Sequence, residues 1–247
     1  SGNTIETLNV LKSAKVLNCN IVAFSSGGKM QEFCTKHNVE FHMIKKTHSP
    51  RTSFVTYVYS LLKILKQLLP LTENDIVESI SVLEDTQKLI NSKNLSETNT
   101  SIILSQKISD IPLIYYPHGL EAAAIRFKSS LQENAKSHVI IEDIIESCHN
   151  GIVAWEKPSL LHPILIQGSD DYFKTKERWQ ILKKYFDENN IKYFDIFSTN
   201  GNILSKLIDL IYRLDYVTIY KAISSEIDPS TIRSIDFVKN HLDSTLE

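Results

Sequence analysis

The sequence predicts an α/β fold in which parallel sheets are covered by helices on both faces. Short apolar runs alternate with amphipathic stretches along the chain, and this pattern occurs twice, before and after a polar sector. Parallel strands need a crossover between them, usually a helix, so the alternation is typical of parallel sheets. We therefore expect two similar α/β domains, residues 1–95 and 96–247.

The first half begins with the turn SGNT, which precedes an apolar pattern of helical period. A strand ending in a glycine turn is predicted in NCNIVAFSSGG, a helix in KMQEFCTKHN and a second strand in FHMIKK. A loop with Pro50 and Arg51 comes next. Two helices follow, one from about Thr52 to Leu69, which ends before Pro70, and one in ENDIVESISVLEDTQKLINSK.

The second half begins after the sector NLSETNTSIILSQKISD, whose serines and threonines favour a linker or a domain crossover. Strands are predicted in IPLIYYP, HPILIQGS and IKYFDIFS. Helices are predicted in HGLEAAAIRFKSSLQENAK, ERWQILKKYFDENN and GNILSKLIDLIYRLDYVTIYKAIS.

Composition excludes several function classes. The chain of 247 residues has a formal net charge of -2 and a pI of about 6.4, which gives no electrostatic reason to expect nucleic acid or an anionic membrane as a partner. No apolar run is long enough for a membrane span, and no signal peptide is visible. The three cysteines form no CxxC pair, which favours reduced thiols and a cytoplasmic protein. The eight histidines have no metal-ligand spacing, so we expect no metal site.

Six segments share their order with motifs of one known family. They are SGNTIET at the start, SSGGK at Ser25–Lys29, Pro50–Arg51, LQENAK at Leu131–Lys136, ESCHNGIVAW at Glu146–Trp155 and DPSTIRSIDFVKNHL at Asp228–Leu242. Together they resemble the bifunctional phosphoglucose/phosphomannose isomerases, a branch of the sugar isomerase (SIS) domain proteins. The resemblance covers nearly the whole chain and implies two SIS domains, each a parallel sheet flanked by helices. Because that family begins earlier, with a strand and a GxGGS-type turn, we expect this sequence to start inside the first SIS domain.

The resemblance also implies four catalytic residues, each of which has an ordinary structural alternative. Glu133 matches the family's base, and a partly desolvated carboxylate suits proton transfer between adjacent carbons. His149 matches the ring-opening histidine, with Glu146 and Asn150 as orienting residues. Arg51 and Lys239 match an arginine that stabilises an enediolate and a lysine near the ring oxygen. The alternatives are a solvated helical carboxylate, a structural histidine, a solvent-facing arginine and a surface lysine.

Further residues are expected to bind the substrate. The hydroxyls of Ser1 and Thr4 and the following helix start offer donors to a phosphate, although such a turn is also a simple helix cap. The resemblance adds three residues of the glycine turn, Ser25, Gly27 and Gly28. It also adds Thr231, near the C-terminus, which would help the site tolerate both C2 epimers. For the glycine turn, a plain strand-to-helix connection is an equal alternative.

The resemblance thus implies an aldose–ketose isomerase acting on glucose 6-phosphate or mannose 6-phosphate and fructose 6-phosphate. We expect no metal or organic cofactor, no nucleic acid or membrane partner, and a homodimer in which the partner completes the site. Two alternatives stay open, a non-catalytic sugar-phosphate-binding SIS protein and an inactive remnant. The non-catalytic sugar-phosphate-binding protein would dispense with Glu133 and His149. Both residues are present, which argues against this alternative.

Overall fold

A computed structural model describes residues 2–109 and 111–244, and no described helix is long and apolar enough to cross a membrane. The chain divides into two compact units, Ser1–Leu71 and Thr72–Glu247. The boundary expected between residues 95 and 96 stays a prediction about the family's domains.

The N-terminal unit contains a two-stranded parallel sheet among its described residues. Its elements are α1 (Ile5–Val16), β1 (Val22–Ser25), α2 (Gly28–His37), β2 (Glu40–Met43), a 3-10 helix (Pro50–Ser53) and α3 (Phe54–Leu65). β1 pairs with β2 from Val22↔Glu40 to Ser25↔Met43. Apolar side chains of α1, β1 and α2, among them Leu11, Ala23 and Cys34, form its core.

The C-terminal unit is a four-stranded parallel sheet with the order β4-β3-β5-β6. The strands are β3 (Ile111–Tyr116), β4 (Ile140–Asp143), β5 (Leu161–Gln167) and β6 (Phe194–Phe197). The helices are α4 (Glu73–Ile90), α5 (Thr100–Lys107), α6 (Glu121–Ala135), α7 (Ile144–Ser147), α8 (Phe173–Glu188), α9 (Ile203–Ser224) and α10 (Arg233–Ser244), and 3-10 helices cover His118–Leu120 and Gly151–Glu156.

Alternating side chains of β3 and β5 face opposite sides of this sheet. Tyr115 and Leu165 pack with Trp155, Trp179 and Phe186 on the side covered by α7 and α8. On the other side α6 packs against β3 and β4, and α9 packs against α4, α5 and α6. Helices on both faces of a parallel sheet confirm the predicted α/β class.

The polar sector expected to be a linker or a domain crossover contains a helix that was not predicted, α5 at residues 100–107. The Asn99 side chain caps α5 by accepting hydrogen bonds from the N–H groups of Ser101 and Ile102. The Ser101 hydroxyl donates to the Arg213 carbonyl at 3.0 Å. A helix whose buried hydroxyls donate hydrogen bonds to backbone carbonyls has the same polar composition as a loop, which explains why α5 was not predicted.

Other differences concern element boundaries and short elements. The helix expected over residues 52–69 is a 3-10 turn followed by α3, which ends at Leu65. β4 and α7, of four residues each, were not predicted at all. β4 is IIED, in which two acidic residues interrupt the apolar run, and α7 is a single helical turn, so neither shows a clear period.

Candidate active site

The two predicted turns of the N-terminal unit lie against each other. The Gly2 carbonyl accepts from the Met30 N–H at 2.9 Å, and the Asn3 side chain accepts from the Lys29 N–H at 3.0 Å. Gly2 has a positive φ of 76°, and a Cβ there would overlap the Gly27 carbonyl oxygen. Only glycine fits this approach, so Gly2 is what allows the SGNT turn to cap the start of α2.

The start of α1 differs from the start of α2 in lacking a side-chain cap. Thr4 is the N-cap residue of α1 and is exposed, yet its side chain makes no capping hydrogen bond. The first N–H groups of a helix have no partner within the helix, and the helix dipole favours an anion there. The Thr4 hydroxyl and these N–H groups are therefore hydrogen-bond donors at one helix start, and phosphate binding by them stays a prediction. Ser1 lies outside the described residues.

The Ser25 hydroxyl is engaged within its own turn. It is 2% exposed, donates to the Gly27 carbonyl at 2.8 Å and accepts from the Gly27 N–H at 3.1 Å. Gly27 and Gly28 both have positive φ values, 125° and 70°. In this structure Ser25 shapes the glycine turn, and a direct contact of Ser25, Gly27 or Gly28 with a sugar stays a prediction.

Arg51 lies half-buried in the 3-10 helix that follows β2. The loop before it is closed by a 2.6 Å hydrogen bond between the Thr47 and Ser53 hydroxyls. A cavity of about 120 Å³ beside this loop is lined by Lys45, Lys46 and Ser26 among others, whereas Arg51 is not part of its lining. Because the loop follows β2 and Ser26 follows β1, this basic cavity lies at the carboxyl ends of both strands, where α/β proteins bind ligands.

In the C-terminal unit, three side chains spaced by four residues hold α6 against α9. The Asp215 carboxylate accepts from the Arg126 guanidinium at 2.8 Å and from the Ser130 hydroxyl at 2.6 Å. The Asn134 amide donates to the Thr218 hydroxyl at 2.8 Å. These contacts fix the rotation of α6, and Glu133, the residue before Asn134, lies about 100° around the helix from the face that contacts α9.

Glu133 lines a cleft of about 940 Å³ in the last turn of α6. The Lys136 ammonium donates to the Glu133 carbonyl at 2.6 Å and to the Thr231 carbonyl at 2.7 Å. Lys136 thereby connects the end of α6 to the segment that precedes α10. Lys136 ends the LQENAK motif, and the motif alone gives no indication of this bridging contact.

The opposite wall of this cleft includes the start of α10. Ile232 and Ile235 line it, and Lys239 follows Ile235 by one helical turn on the same face of α10. The Thr231 hydroxyl donates to the Asp228 carbonyl at 3.2 Å. Glu133 and Thr231 thus line the same cleft, whereas Lys239 is exposed and is not part of its lining.

His149 lies near the opposite ends of the strands from Glu133. It follows β4 and α7, and is therefore at the carboxyl ends of the strands, as are the neighbouring Glu146 and Asn150. Glu133 lies at the end of α6, which runs back to the amino ends. His149, Glu146 and Asn150 are exposed, and none of them lines the cleft at Glu133. Within one chain, the structure does not bring Glu133 and His149 together.

Glu142, which sequence analysis missed, lies half-buried in β4. Its carboxylate lies so close to Gly151 that a Cβ on that residue would overlap it. Burial raises the pKa of Glu142 and of the Cys148 thiol. No group of three or more His, Cys, Asp or Glu side chains with metal-binding geometry occurs within residues 2–109 and 111–244.

Comparison with known proteins identifies the family. The family model described as bacterial phospho-glucose isomerase C-terminal SIS domain matches residues 97–242. The chain belongs to this family. The curated bifunctional phosphoglucose/phosphomannose isomerase of Caldicellulosiruptor bescii is 30% identical, over 98% of this chain and 74% of the relative. The protein of the same name from Aquifex aeolicus is 26% identical, over 98% and 73%.

Solved SIS structures have the same fold. The tagatose-6-phosphate ketose/aldose isomerase of Escherichia coli superposes with a TM-score of 0.71 at 12% identity, covering 94% of this chain and 68% of that one. The part matched by the SIS family model includes α6 with Glu133, the segment with His149 and the start of α10.

Proposed function

We propose that this SIS-family chain is a sugar-phosphate isomerase that interconverts glucose 6-phosphate or mannose 6-phosphate with fructose 6-phosphate through an enediol(ate). The observation that carries the proposal is the position of Glu133, a carboxylate at the wall of a 940 Å³ cleft on a helix end held by polar contacts. Relatives named as bifunctional phosphoglucose/phosphomannose isomerases support the choice of reaction.

Glu133 is the proposed base that moves a proton between C1 and C2. A base must hold one position relative to the substrate carbon, because small misplacements cost large factors in rate. The contacts of Asn134 and Lys136 on either side of it supply that rigidity. Lys239 on α10 is proposed to act near the ring oxygen, and Thr231 to tolerate both C2 epimers.

The remaining roles fall to residues of the N-terminal unit and to His149. Thr4 and the start of α1 are proposed to bind the phosphate, together with Ser1. Arg51 is proposed to stabilise the negative charge of the enediolate. Ser25, Gly27 and Gly28 are proposed to line the sugar site, with Ser25 acting through the shape of the turn.

His149 is the proposed acid–base group for ring opening, and its location favours a homodimer. His149 follows the carboxyl end of β4, whereas Glu133 lies on the helix end that leads into the amino end of β4, a strand roughly 13 Å long. We therefore propose that the histidine serving Glu133 comes from the partner chain. Its exposure is what a residue offered to a partner requires.

Replacing Glu133 by glutamine tests the proposal. We expect turnover of fructose 6-phosphate to fall on the order of 10²–10⁴-fold, while binding of the sugar phosphate, measured by calorimetry, changes little. Glu121→Gln, at the opposite end of the same helix, is the matched control and should keep wild-type turnover.

Each outcome has a consequence for the proposal. A Glu133→Gln variant within a few-fold of wild type would remove this residue from the mechanism. A wild-type protein that binds sugar phosphates without converting them would favour the non-catalytic alternative.

A further inference from the structure

Another cavity of the C-terminal unit lies at the carboxyl ends of the strands of the four-stranded sheet and does not include Glu133. Its volume is about 340 Å³, within the range of small-molecule sites. Its walls come from the segments that follow β3, β4 and β5 and from the first turn of α9. The residues that matter for its chemistry are Gly168, Asp170, Thr175 and Lys206.

The topology of the sheet explains why a cavity forms here. After β3 the chain crosses to β4 on one side, and β5 then lies on the other side of β3. The segments that leave β3 and β5 therefore diverge to opposite faces and open a crevice between residues 117–120 and 168–171. Ligands of open α/β sheets bind at such switch points.

A buried positive charge faces this crevice. The Lys206 side chain is only 11% exposed, and its ammonium donates to both oxygens of Asp170, whose side chain is 66% exposed. A buried ammonium needs an anionic partner, and here that partner comes from a solvent-exposed turn. The hydrogen bond from Lys206 also holds the pKa of Asp170 below its usual range.

The neighbouring carboxylate of Asp171 has a different role. It accepts from the Gly168 N–H at 3.0 Å and from the Trp179 indole N–H at 3.1 Å. These bonds fix the turn after β5 and engage the Asp171 carboxylate, which also lines the crevice, so Asp170 is the carboxylate that pairs with Lys206. Asp170 can therefore leave Lys206 for solvent without breaking the turn.

We propose that this crevice binds a small phosphate-bearing anion, with the Lys206 ammonium as its charged anchor and the Asp170 carboxylate as the group that it displaces. The Thr175 side chain and the N-terminal end of α8, whose N-cap residue Tyr172 makes no side-chain capping hydrogen bond, surround the same space and favour an anion. The proposal is independent of the isomerase reaction, since none of its residues takes part in the roles assigned above.

The test is a titration of inorganic phosphate against the whole chain at constant ionic strength, with chloride as the reference anion. The indole N–H signal of Trp179 in a ¹H–¹⁵N spectrum reports on the site through its bond to Asp171. The signal of Trp155, the other tryptophan, is the internal control because its N–H donates to the buried Tyr115 hydroxyl at 2.9 Å.

Three variants separate this site from the phosphate site proposed at Thr4. Lys206→Gln should abolish the Trp179 shift, whereas Asp170→Asn should strengthen phosphate binding by about tenfold, because it removes the competing charge. Thr4→Val should leave the Trp179 titration unchanged. A parallel titration with fructose 6-phosphate distinguishes free phosphate from a phosphosugar as the preferred source.

The proposal fails if phosphate does not shift Trp179 in the wild-type chain, or if the shift persists in Lys206→Gln. It also fails if Asp170→Asn binds phosphate more weakly than the wild type. An equal shift of Trp155 and Trp179 would indicate a general salt effect and would likewise overturn it.

Discussion

Removing the Asn134 side chain should destabilise the C-terminal unit by an amount that the structure allows us to work out. Asn134 is 6% exposed and its partner Thr218 is fully buried, so Asn134→Ala removes a buried hydrogen bond and leaves the Thr218 oxygen without that donor. Such a loss costs about 1–3 kcal/mol. Alanine's better helix propensity returns about 0.5 kcal/mol of this, so we expect a net loss of about 1.5 kcal/mol.

The assay is urea unfolding followed by circular dichroism, together with the melting temperature. For a unit of this size, about 1.5 kcal/mol corresponds to a decrease in melting temperature of roughly 3–6 °C. Gln132→Ala, an exposed residue in the same helical turn, is the control and should change stability by less than about 0.5 kcal/mol.

A double-mutant cycle measures the interaction energy between Asn134 and Thr218 directly. Thr218→Val also removes the hydroxyl that donates to the Asp215 carbonyl at 2.8 Å, so it is destabilising by itself. The Asn134–Thr218 pair should nevertheless show a coupling energy of about 1 kcal/mol. Additive effects of the two substitutions, or an unchanged Asn134→Ala variant, would show that this contact does not hold α6 in place.

Three further predictions follow from the same structure. Lys136→Met should accelerate hydrogen exchange in the first turn of α10, because it cuts the bond to the Thr231 carbonyl, while Lys136→Arg should retain most of the protection. Burial raises the pKa of the Glu142 carboxyl, so the native state binds this proton more tightly than the unfolded state and loses stability as pH rises. Glu142→Gln should therefore raise the melting temperature at pH 8 but not at pH 4. An equal change at both pH values would contradict this cause. His149→Ala should slow turnover of the ring-closed substrate more than that of an open-chain analogue, and equal losses would assign His149 another role.

The α/β class was predictable because strands such as IPLIYYP and helices such as α9 are long enough to carry a clear period. The position of α5 was not, because its serines bond to carbonyls that only the folded chain brings near. The same holds for β4, which has four residues and is recognised by its pairing with β3.

For the candidate site, residue types and motif order predicted Glu133, His149 and Arg51 as candidates but not their arrangement. The regular spacing of Arg126, Ser130 and Asn134 could have indicated a polar face on α6, although its partners on α9 lie more than eighty residues away. The Lys206–Asp170 pair, 36 residues apart, is likewise a product of sheet topology, which no local pattern encodes.

Glu133 and His149 lie near opposite ends of the strands of one sheet, and this placement allows a test by complementation between two inactive variants. If each catalytic centre combines Glu133 of one chain with His149 of another, two inactive proteins, Glu133→Gln and His149→Ala, can complement each other. Random pairing makes half of the dimers mixed, and each mixed dimer contains one fully wild-type centre, so an equal mixture regains about a quarter of the normal activity. The recovered activity would also disappear on dilution below the dissociation constant of the dimer.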